Sequence, residues 1–338
     1  MFRFLDNWIK RPKIGIALGG GGARGLAHVG VLKVLEKNDI PIDFIAGTSI
    51  GALIGSAYAL RPNARLLHAR MARFLESKEF HESGLSRFRR KEAAENFFGQ
   101  VAKYVRERIV INLAHSRLSV VGAERLNRVI EVVLDDRLIE DSKIPLAIVA
   151  TDLNTGEEVI FREGSVRHAT VASASIPGFL PPVAYNGRIL VDGAVTAPIP
   201  VQAAFAMGAD IVIGVDVGQN LMTTVETQNI VDIIFRSSTI TANRLRYHIT
   251  RHADIAIFPE VGSVHWADFE QYENLVAAGE KACLQALPDI RAHIHSRQPF
   301  LRRIIEPAPK RDESAAHGAM QHASPGDALA SSHASPPR

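Results

Sequence analysis

The feature that most constrains this fold is a short apolar run that leads directly into a glycine-rich loop. Residues 13–18, Lys-Ile-Gly-Ile-Ala-Leu, have the composition of a buried strand, and the four glycines of 19–22 follow without a spacer. Residues 24–37 then carry apolar side chains over a wide helical face, and residues 42–46 form a second apolar run. This strand–loop–helix–strand order predicts a parallel sheet covered by helices.

The rest of the chain extends this α/β pattern. A helix rich in alanine and glycine is predicted over 50–60, where small side chains allow close packing on a sheet. Further strands are predicted at 145–151, 158–162, 188–191 and 210–217. We expect one main domain over 13–306, preceded by an N-terminal segment, 1–12, and followed by a disordered tail, 307–338, which has too few apolar residues to fold.

Residues 61–142 differ in character and are predicted to form an inserted helical cap. Between Arg61 and Val110 there are twelve Lys or Arg residues against six Glu, with phenylalanines scattered among them. Two interpretations stay open. The charges are either the solvated faces of amphipathic helices, or part of a basic, aromatic-edged lid that meets a lipid surface.

The bulk composition excludes several classes of protein. A net charge of +3 is too small for the dense basic face of a dedicated nucleic-acid binder, although a pI near 9.0 suits anionic surfaces. One cysteine, Cys283, excludes an internal disulfide and a multi-cysteine metal cluster. No apolar stretch suits a signal peptide or a membrane span. We therefore expect a cytoplasmic protein whose membrane contact, if any, is peripheral at the inner face.

Gly47-Thr48-Ser49-Ile50-Gly51 fits the G-x-S-x-G pattern of a nucleophilic serine. In that pattern the serine occupies a sharp turn between a strand and a helix, and the flanking glycines make room for the strained backbone. A strand is predicted before this segment and a helix after it. The N-terminus of the helix over 50–60 would also favour negative charge that forms near Ser49.

Gly20-Gly21-Gly22-Ala23-Arg24-Gly25 fits G-x-G-x-x-G directly after a strand, which is also the pattern of a dinucleotide-binding loop. A dinucleotide fold needs an acidic residue at the end of the second strand, but Gly47-Thr48-Ser49 occupies that position. The loop is better suited to an oxyanion hole, in which exposed N–H groups converge on a carbonyl oxygen. Arg24 is expected to fix the loop rather than to contact substrate.

A nucleophilic serine needs a base, and Asp192 is the candidate. It directly follows the predicted strand over 188–191, and Gly193 permits a tight turn after it. A histidine base is the alternative, because Ser-His-Asp triads are common among hydrolases. The histidines considered are His28, His168, His248, His252 and His265. Asp152 and Asp216 also end predicted strands, where capping or turn formation is the expected role.

Taken together, these segments resemble the patatin-like phospholipase family. The matching segments are Gly19–Gly25, Gly47–Gly51, Asp192-Gly193-Ala194 and three further blocks at 150–156, 172–178 and 207–210. The resemblance runs from about residue 13 to about residue 290. It implies a three-layer α/β/α patatin-like fold, a Ser49–Asp192 dyad, an oxyanion site in the glycine loop, and no metal or cofactor.

The resulting prediction is a serine carboxylic ester hydrolase that acts on phospholipid or other fatty-acyl esters. Asp192 accepts the Ser49 proton, and the N–H groups of Gly20 to Gly22 hold the oxyanion. Because a carboxylate is a weak base, the site is expected to be dry enough to raise the pKa of Asp192. Two alternatives are a weakly catalytic regulatory or scaffolding protein on the same fold, and a nucleotide-binding oxidoreductase. Head-group preference, ester or thioester chemistry and oligomeric state are left open.

Overall fold

The computed structural model describes residues 11–83, 122–218, 230–261 and 264–299. The strands are β1 (Ile14–Leu18), β2 (Phe44–Thr48), β3 (Leu146–Asp152), β4 (Glu158–Phe161), β5 (Val183–Tyr185), β6 (Arg188–Asp192), β7 (Ile211–Val215) and β8 (Ile255–Ile257). The helices are α1 (Ala27–Lys37), α2 (Ile50–Leu60), α3 (Ala64–Glu76), α4 (Lys78–Ser83), α5 (Ala123–Val133), α6 (Val166–Ser173), α7 (Val201–Ala206), α8 (Ile230–Thr250) and α9 (Tyr272–Arg297).

The strands form a single mixed sheet in the order β5-β6-β3-β2-β1-β7-β8, with β4 paired to β3. β1 lies in the centre, parallel to β2 and β7, and β3 and β8 continue the parallel part. β1, β2, β3 and β7 are buried along their whole length. This agrees with their continuous apolar sequence, since parallel strands are covered on both faces.

Each face of the sheet has its own hydrophobic core. Ile14, Ile16 and Leu18 belong to the larger core, with α1, α2 and α9. The alternate residue Ala17 belongs to a smaller core that is formed mainly with α7. The chain therefore has three layers, helices on both sides of a mostly parallel sheet, as the sequence predicted.

β3 pairs with three other strands, β2, β4 and β6, and this arrangement brings the ends of β2 and β6 together. β4 pairs with residues 148–151 of β3, whereas β2 pairs with 146–149 and β6 with 150–152. Because β4 overlaps both of the other pairings, β2 and β6 must share the opposite edge of β3. β2 is parallel to β3 and β6 is antiparallel, so their carboxyl ends approach each other from opposite directions.

Most predicted elements are present with shifted ends. The first predicted helix is split into a 3-10 turn over Gly22–Leu26 and α1, because the glycine loop continues into the turn. β2 begins and ends two residues later than predicted, and β7 is shorter than 210–217. The short strands β5 and β8 were not predicted, because three residues carry too little pattern to identify.

The described parts of 61–142 include α3, α4 and α5. Their inner residues Leu67, Met71, Phe74 and Ile130 lie in the larger core, so these helices are part of the main fold. Residues 84–121, which hold much of the expected cap, lie outside the described residues, as does the tail 307–338; the cap and the tail stay predictions. In the part of the chain that the structure describes, no helix is long and apolar enough to cross a membrane.

Candidate active site

Ser49 occupies the sharp turn between β2 and α2. Its backbone has φ 56° and ψ −123°, a conformation that non-glycine residues rarely adopt and that marks local strain. Its N–H donates to Ser173 Oγ at 2.9 Å, and that hydroxyl donates to the Val149 carbonyl at 2.6 Å. A side chain from α6 and the backbone of β3 therefore hold the turn in place.

The glycines on either side of this turn are required by close contacts. A Cβ on Gly47 would lie 2.6 Å from Ala52 Cα, and one on Gly51 would lie 2.1 Å from the Leu18 carbonyl oxygen. Gly51 thus lets α2 begin directly against the end of β1. The compact turn also brings Ser49 next to the glycine loop. A Cβ on Gly20 would lie only 3.3 Å from Ser49 Cβ.

Asp192 reaches Ser49 from the end of β6. Ser49 Oγ donates to Asp192 Oδ2 at 2.7 Å, and the Ala194 N–H donates to Asp192 Oδ1 at 2.8 Å. The turn that positions Ala194 depends on Gly193, where a Cβ would lie 2.2 Å from the Val149 carbonyl oxygen. Both carboxylate oxygens therefore have defined partners, and one of them is the serine hydroxyl.

Burial makes Asp192 more basic than an ordinary carboxylate. Ser49 is 5% exposed and Asp192 is 2% exposed. Loss of hydration disfavours the charged form and raises the pKa of Asp192 to about 6, although the hydrogen bonds from Ala194 and Ser49 act in the opposite direction. This agrees with the expectation of a dry site. A carboxylate with this pKa is ionised at neutral pH and still accepts a proton readily.

The hydrogen bonds of the glycine loop identify which N–H groups have no protein acceptor. Gly19 N–H donates to Val215 and Gly20 N–H donates to Pro198, at 3.1 and 2.9 Å, while Ala23 N–H donates to Trp266 at 2.6 Å. Gly21 and Gly22 N–H donate to no acceptor among the described residues. Gly20 N–H is thus unavailable for an oxyanion, contrary to the sequence prediction, because the Pro198 carbonyl already accepts it.

Arg24 fixes the orientation of the peptide that joins Gly21 to Gly22. The side chain is fully buried, and its Nε donates to the Gly21 carbonyl at 3.3 Å. In a trans peptide the C=O and N–H groups point in opposite directions, so this bond directs the Gly22 N–H away from Arg24. Gly22 has φ +61°, and a Cβ there would lie 2.5 Å from the Trp266 carbonyl oxygen, so only glycine fits.

A buried charge network lies behind the loop. Asp216, directly after β7, accepts from Arg246 Nη1 at 2.9 Å and from the Gly218 N–H at 2.8 Å. Burial and the nearby Arg246 lower the pKa of Arg24 to about 10, while the charge of Asp216 acts in the opposite direction. At neutral pH Arg24 is still protonated and can hold the Gly21 carbonyl.

Two of the candidate histidines, His28 and His265, have other hydrogen-bond partners in the described structure. His28 is fully buried, and its Nε2 bonds the Gly19 carbonyl at 2.8 Å, which requires the proton on Nε2. Burial lowers the pKa of His28 to about 4, so the ring is neutral. His265 Nδ1 accepts from the Ala267 N–H at 3.1 Å. Within the described ranges, no histidine is hydrogen-bonded to Ser49 or Asp192.

Two carboxylates considered from the sequence have structural partners. Asp152 Oδ1 accepts from the Asn154 N–H at 3.0 Å and forms a local turn, and Asp216 belongs to the network with Arg246. Sequence reasoning gave no role to Ser173 or Pro198, because each acts through a contact distant along the chain. Among the residues described, no group of three or more His, Cys, Asp or Glu side chains is arranged to hold a metal ion.

The chain is similar in sequence to several known proteins. Patatin-like phospholipase domain-containing protein ZK370.4 of Caenorhabditis elegans is 34% identical over 68% of this chain and 15% of its own length. Lysophospholipase NTE1 of Yarrowia lipolytica is 34% identical over 64% of this chain and 14% of its own length. The chain therefore spans only about 15% of the length of these relatives. The crystal structure of VipD from Legionella pneumophila aligns with 83% of this chain and 67% of its own, at 14% identity and a TM-score of 0.42.

The family assignment follows from the sequence match, which covers both the serine turn and the aspartate turn. Residues 16–205, more than half of the chain, match the family described as Patatin-like phospholipase. Ser49, Asp192 and the glycine loop all lie within the matched residues. The chain belongs to the patatin-like phospholipase family.

Proposed function

We propose that this chain is a lipid acyl hydrolase that cleaves carboxylic esters through an acyl-serine intermediate. The observation that carries the proposal is the 2.7 Å hydrogen bond from Ser49 Oγ to Asp192 Oδ2, in a buried site next to the glycine loop, where the Gly21 and Gly22 N–H groups have no acceptor among the described residues. Two relatives named as a phospholipase-domain protein and a lysophospholipase favour a fatty-acyl ester of a phospholipid or lysophospholipid as substrate.

In the first half of the proposed reaction, Ser49 Oγ attacks the ester carbonyl carbon as its proton moves to Asp192 Oδ2. The carbonyl oxygen becomes an oxyanion, which the N–H groups of Gly21 and Gly22 bind. Each such donor is typically worth roughly a hundred- to a thousandfold in rate. The tetrahedral intermediate then breaks its bond to the alcohol oxygen, Asp192 returns the proton to that oxygen, and an acyl-serine is left.

The second half repeats these proton transfers with water. Asp192 accepts a proton from the water molecule that attacks the acyl carbon, and the same N–H groups bind the new oxyanion. The bond to Ser49 Oγ then breaks, Oγ regains the proton, and the fatty acid leaves. The same aspartate therefore serves as base and acid in both halves.

The proposal is tested by trapping the serine and by measuring lipid turnover. An alkyl fluorophosphonate should add a single phosphonyl group to the wild-type chain, and peptide mass mapping should locate it on Ser49. Wild-type protein should also release fatty acid from lysophosphatidylcholine micelles and from a short p-nitrophenyl ester. A protein that neither forms the adduct nor releases acid from any ester would instead favour a regulatory or scaffolding role.

Ester hydrolysis should lose activity as the pH falls through about 6. Only the ionised form of Asp192 accepts the Ser49 proton, and burial raises the pKa of this carboxyl to about 6. Below that pH, kcat/KM should fall about tenfold per pH unit, because the fraction of ionised base falls in proportion. Initial rates on a water-soluble ester between pH 4.5 and 8.5 measure the profile. Full activity down to pH 4.5 would contradict the raised pKa.

Replacing Arg24 should lower kcat with little effect on KM. Arg24→Met removes the Nε donor that holds the Gly21 carbonyl, so the Gly22 N–H is no longer fixed for the transition state. We expect kcat to fall roughly 10- to 100-fold, somewhat less than for complete loss of one donor. Arg24→Lys keeps the charge but has no nitrogen at the Nε position, and should show a similar loss. Full activity in Arg24→Lys would assign the effect to charge instead of orientation.

A further inference from the structure

The outward-facing side of α8 carries an apolar stripe that other described elements do not cover. Ile233, Ile240 and Tyr247 are 55%, 42% and 47% exposed and are spaced seven residues apart. Ser237, Arg244 and Arg251, which lie between or after them, are also exposed. The spacing of four and three residues places the first five on one side of the helix, and Arg251 directly follows its last residue, Thr250. We call these six residues the α8 outer face.

Contacts at the two ends of its inner side show where α8 lies relative to the sheet. A Cβ on Gly214 in β7 would lie 3.1 Å from Ala253 Cβ, just after the helix. Seven residues earlier, Arg246 bonds Asp216, which directly follows β7. Going backward from Ala253 to Arg246, the helix therefore runs toward the carboxyl end of β7.

The earlier residues of α8 consequently extend beyond the carboxyl edge of the sheet. At 1.5 Å per residue, Ile240 lies about 9 Å and Ile233 about 20 Å further along the helix axis than Arg246. β1, β2 and β7 are parallel, so their carboxyl ends share this edge. Ser49 directly follows β2, so the part of the α8 outer face from Ile233 to Ile240 lies at the same end of the molecule as the candidate active site.

The charge of this segment is positive. Residues 230–252 contain four arginines and one aspartate, and one of these arginines, Arg246, is paired with Asp216 on the inner side of the helix. Arg244 has no acidic partner among the described residues, and the Arg251 guanidinium lies 5.6 Å from the centroid of the Tyr247 ring. An apolar stripe with tyrosine and flanking arginines is the composition of a helix that lies at the surface of an anionic bilayer. A second copy would bring the same cations together, which disfavours self-association through this face.

We propose that the α8 outer face docks the protein on an anionic lipid bilayer, which would place the carboxyl edge of the sheet beside the membrane. The proposal rests on the proposed function in one respect, since a lipid substrate gives the docking its purpose. The ion pair between Arg246 and Asp216 anchors the helix on its inner side, so that docking would hold the glycine loop and Ser49 near the lipid surface.

The test measures vesicle binding separately from turnover. Full-length protein carrying Ser49→Ala is sedimented with vesicles of phosphatidylcholine alone, or of phosphatidylcholine and phosphatidylglycerol in a 7:3 ratio (roughly one-third anionic lipid). We expect binding to the anionic vesicles that weakens with added salt. Ile240→Glu with Tyr247→Glu should lower the partition coefficient at least about tenfold, and Arg244→Glu should lower it about fivefold. The control is Leu284→Glu on α9, a similarly exposed leucine, and should change binding less than about twofold.

Three results would overturn the docking proposal. The first is equal binding to neutral and anionic vesicles, and the second is unchanged binding of the α8 variants. The third is a dimer in sedimentation velocity that these variants convert to a monomer, which would assign the face to self-association. In an active background, the same variants should lose hydrolysis of vesicle lipid but keep hydrolysis of a soluble ester. Vesicle binding by a protein that hydrolyses no ester would contradict the proposed function and leave the docking proposal supported.

Discussion

Ser49→Ala should abolish ester hydrolysis, with kcat/KM falling at least about 10⁴-fold. The substitution removes the only hydroxyl that is hydrogen-bonded to the Asp192 carboxylate in the described structure, and with it the atom that would form the acyl intermediate. It keeps the Cβ and so should leave the turn and the fold intact. The measurement is fatty acid release from lysophosphatidylcholine and from a soluble ester, together with loss of fluorophosphonate labelling.

Ser56→Ala is the matched control for this variant. Ser56 is also a buried serine of the α2 segment, and its hydroxyl has no hydrogen-bond partner among the described residues. Removal of an unpartnered buried hydroxyl should be neutral or slightly stabilising and should leave turnover unchanged. Retention of more than about a tenth of the activity by Ser49→Ala would exclude Ser49 as the nucleophile.

Asp192→Asn should abolish turnover and at the same time stabilise the fold. Asparagine can accept the Ala194 N–H with its oxygen and donate its amide N–H to Ser49 Oγ, but it has no group that takes up the Ser49 proton, so kcat should fall roughly 10²- to 10⁴-fold. The pKa of Asp192 is raised from 3.8 to about 6 in the folded protein, so the ionised carboxylate destabilises the folded state relative to the unfolded state. Removing this charge should raise the free energy of unfolding by about 1–3 kcal/mol at pH 8.

The stabilisation by Asp192→Asn should depend on pH, because the pKa of Asp192 is higher in the folded state than in the unfolded state. With a folded pKa above the unfolded one, the folded state binds the extra proton between pH 3.8 and about 6, so wild-type stability falls as the pH rises through that range. The stabilisation by Asp192→Asn should therefore be full above about pH 6 and disappear toward pH 4. Urea unfolding at pH 4.5 and pH 8 measures the difference.

Asp152→Asn is the control for the aspartate. Asp152 is also a buried carboxylate at the end of a strand, but it bonds the Asn154 N–H instead of a serine hydroxyl. Its replacement should leave kcat within a few-fold of wild type. Substantial turnover in Asp192→Asn would exclude Asp192 as the base and revive the histidine alternative.

The strands and the serine turn could be predicted from the sequence, because their signals lie close together along the chain. The buried strands could be predicted because continuous apolar runs are typical of a sheet covered on both faces. The Ser49 turn could be predicted because Gly47 and Gly51 flank it between a strand and a helix, and all of these signals lie within a few residues. The family resemblance, carried by the same segments, gave the three-layer architecture, and the match over 16–205 confirmed the family.

Which functional groups meet depends on how distant segments of the chain pack together. Ser49 and Asp192 are 143 residues apart along the chain, and their hydrogen bond depends on β2 and β6 sharing one edge of β3, a pairing that no local pattern encodes. The hydrogen bond from the Gly20 N–H to the Pro198 carbonyl is likewise a contact between distant segments. It leaves the Gly21 and Gly22 N–H groups as the candidate oxyanion donors. The projection of α8 past the sheet depends on its contacts with β7. Propensity and periodicity describe neighbours along the chain, whereas these features depend on how separate elements pack in space.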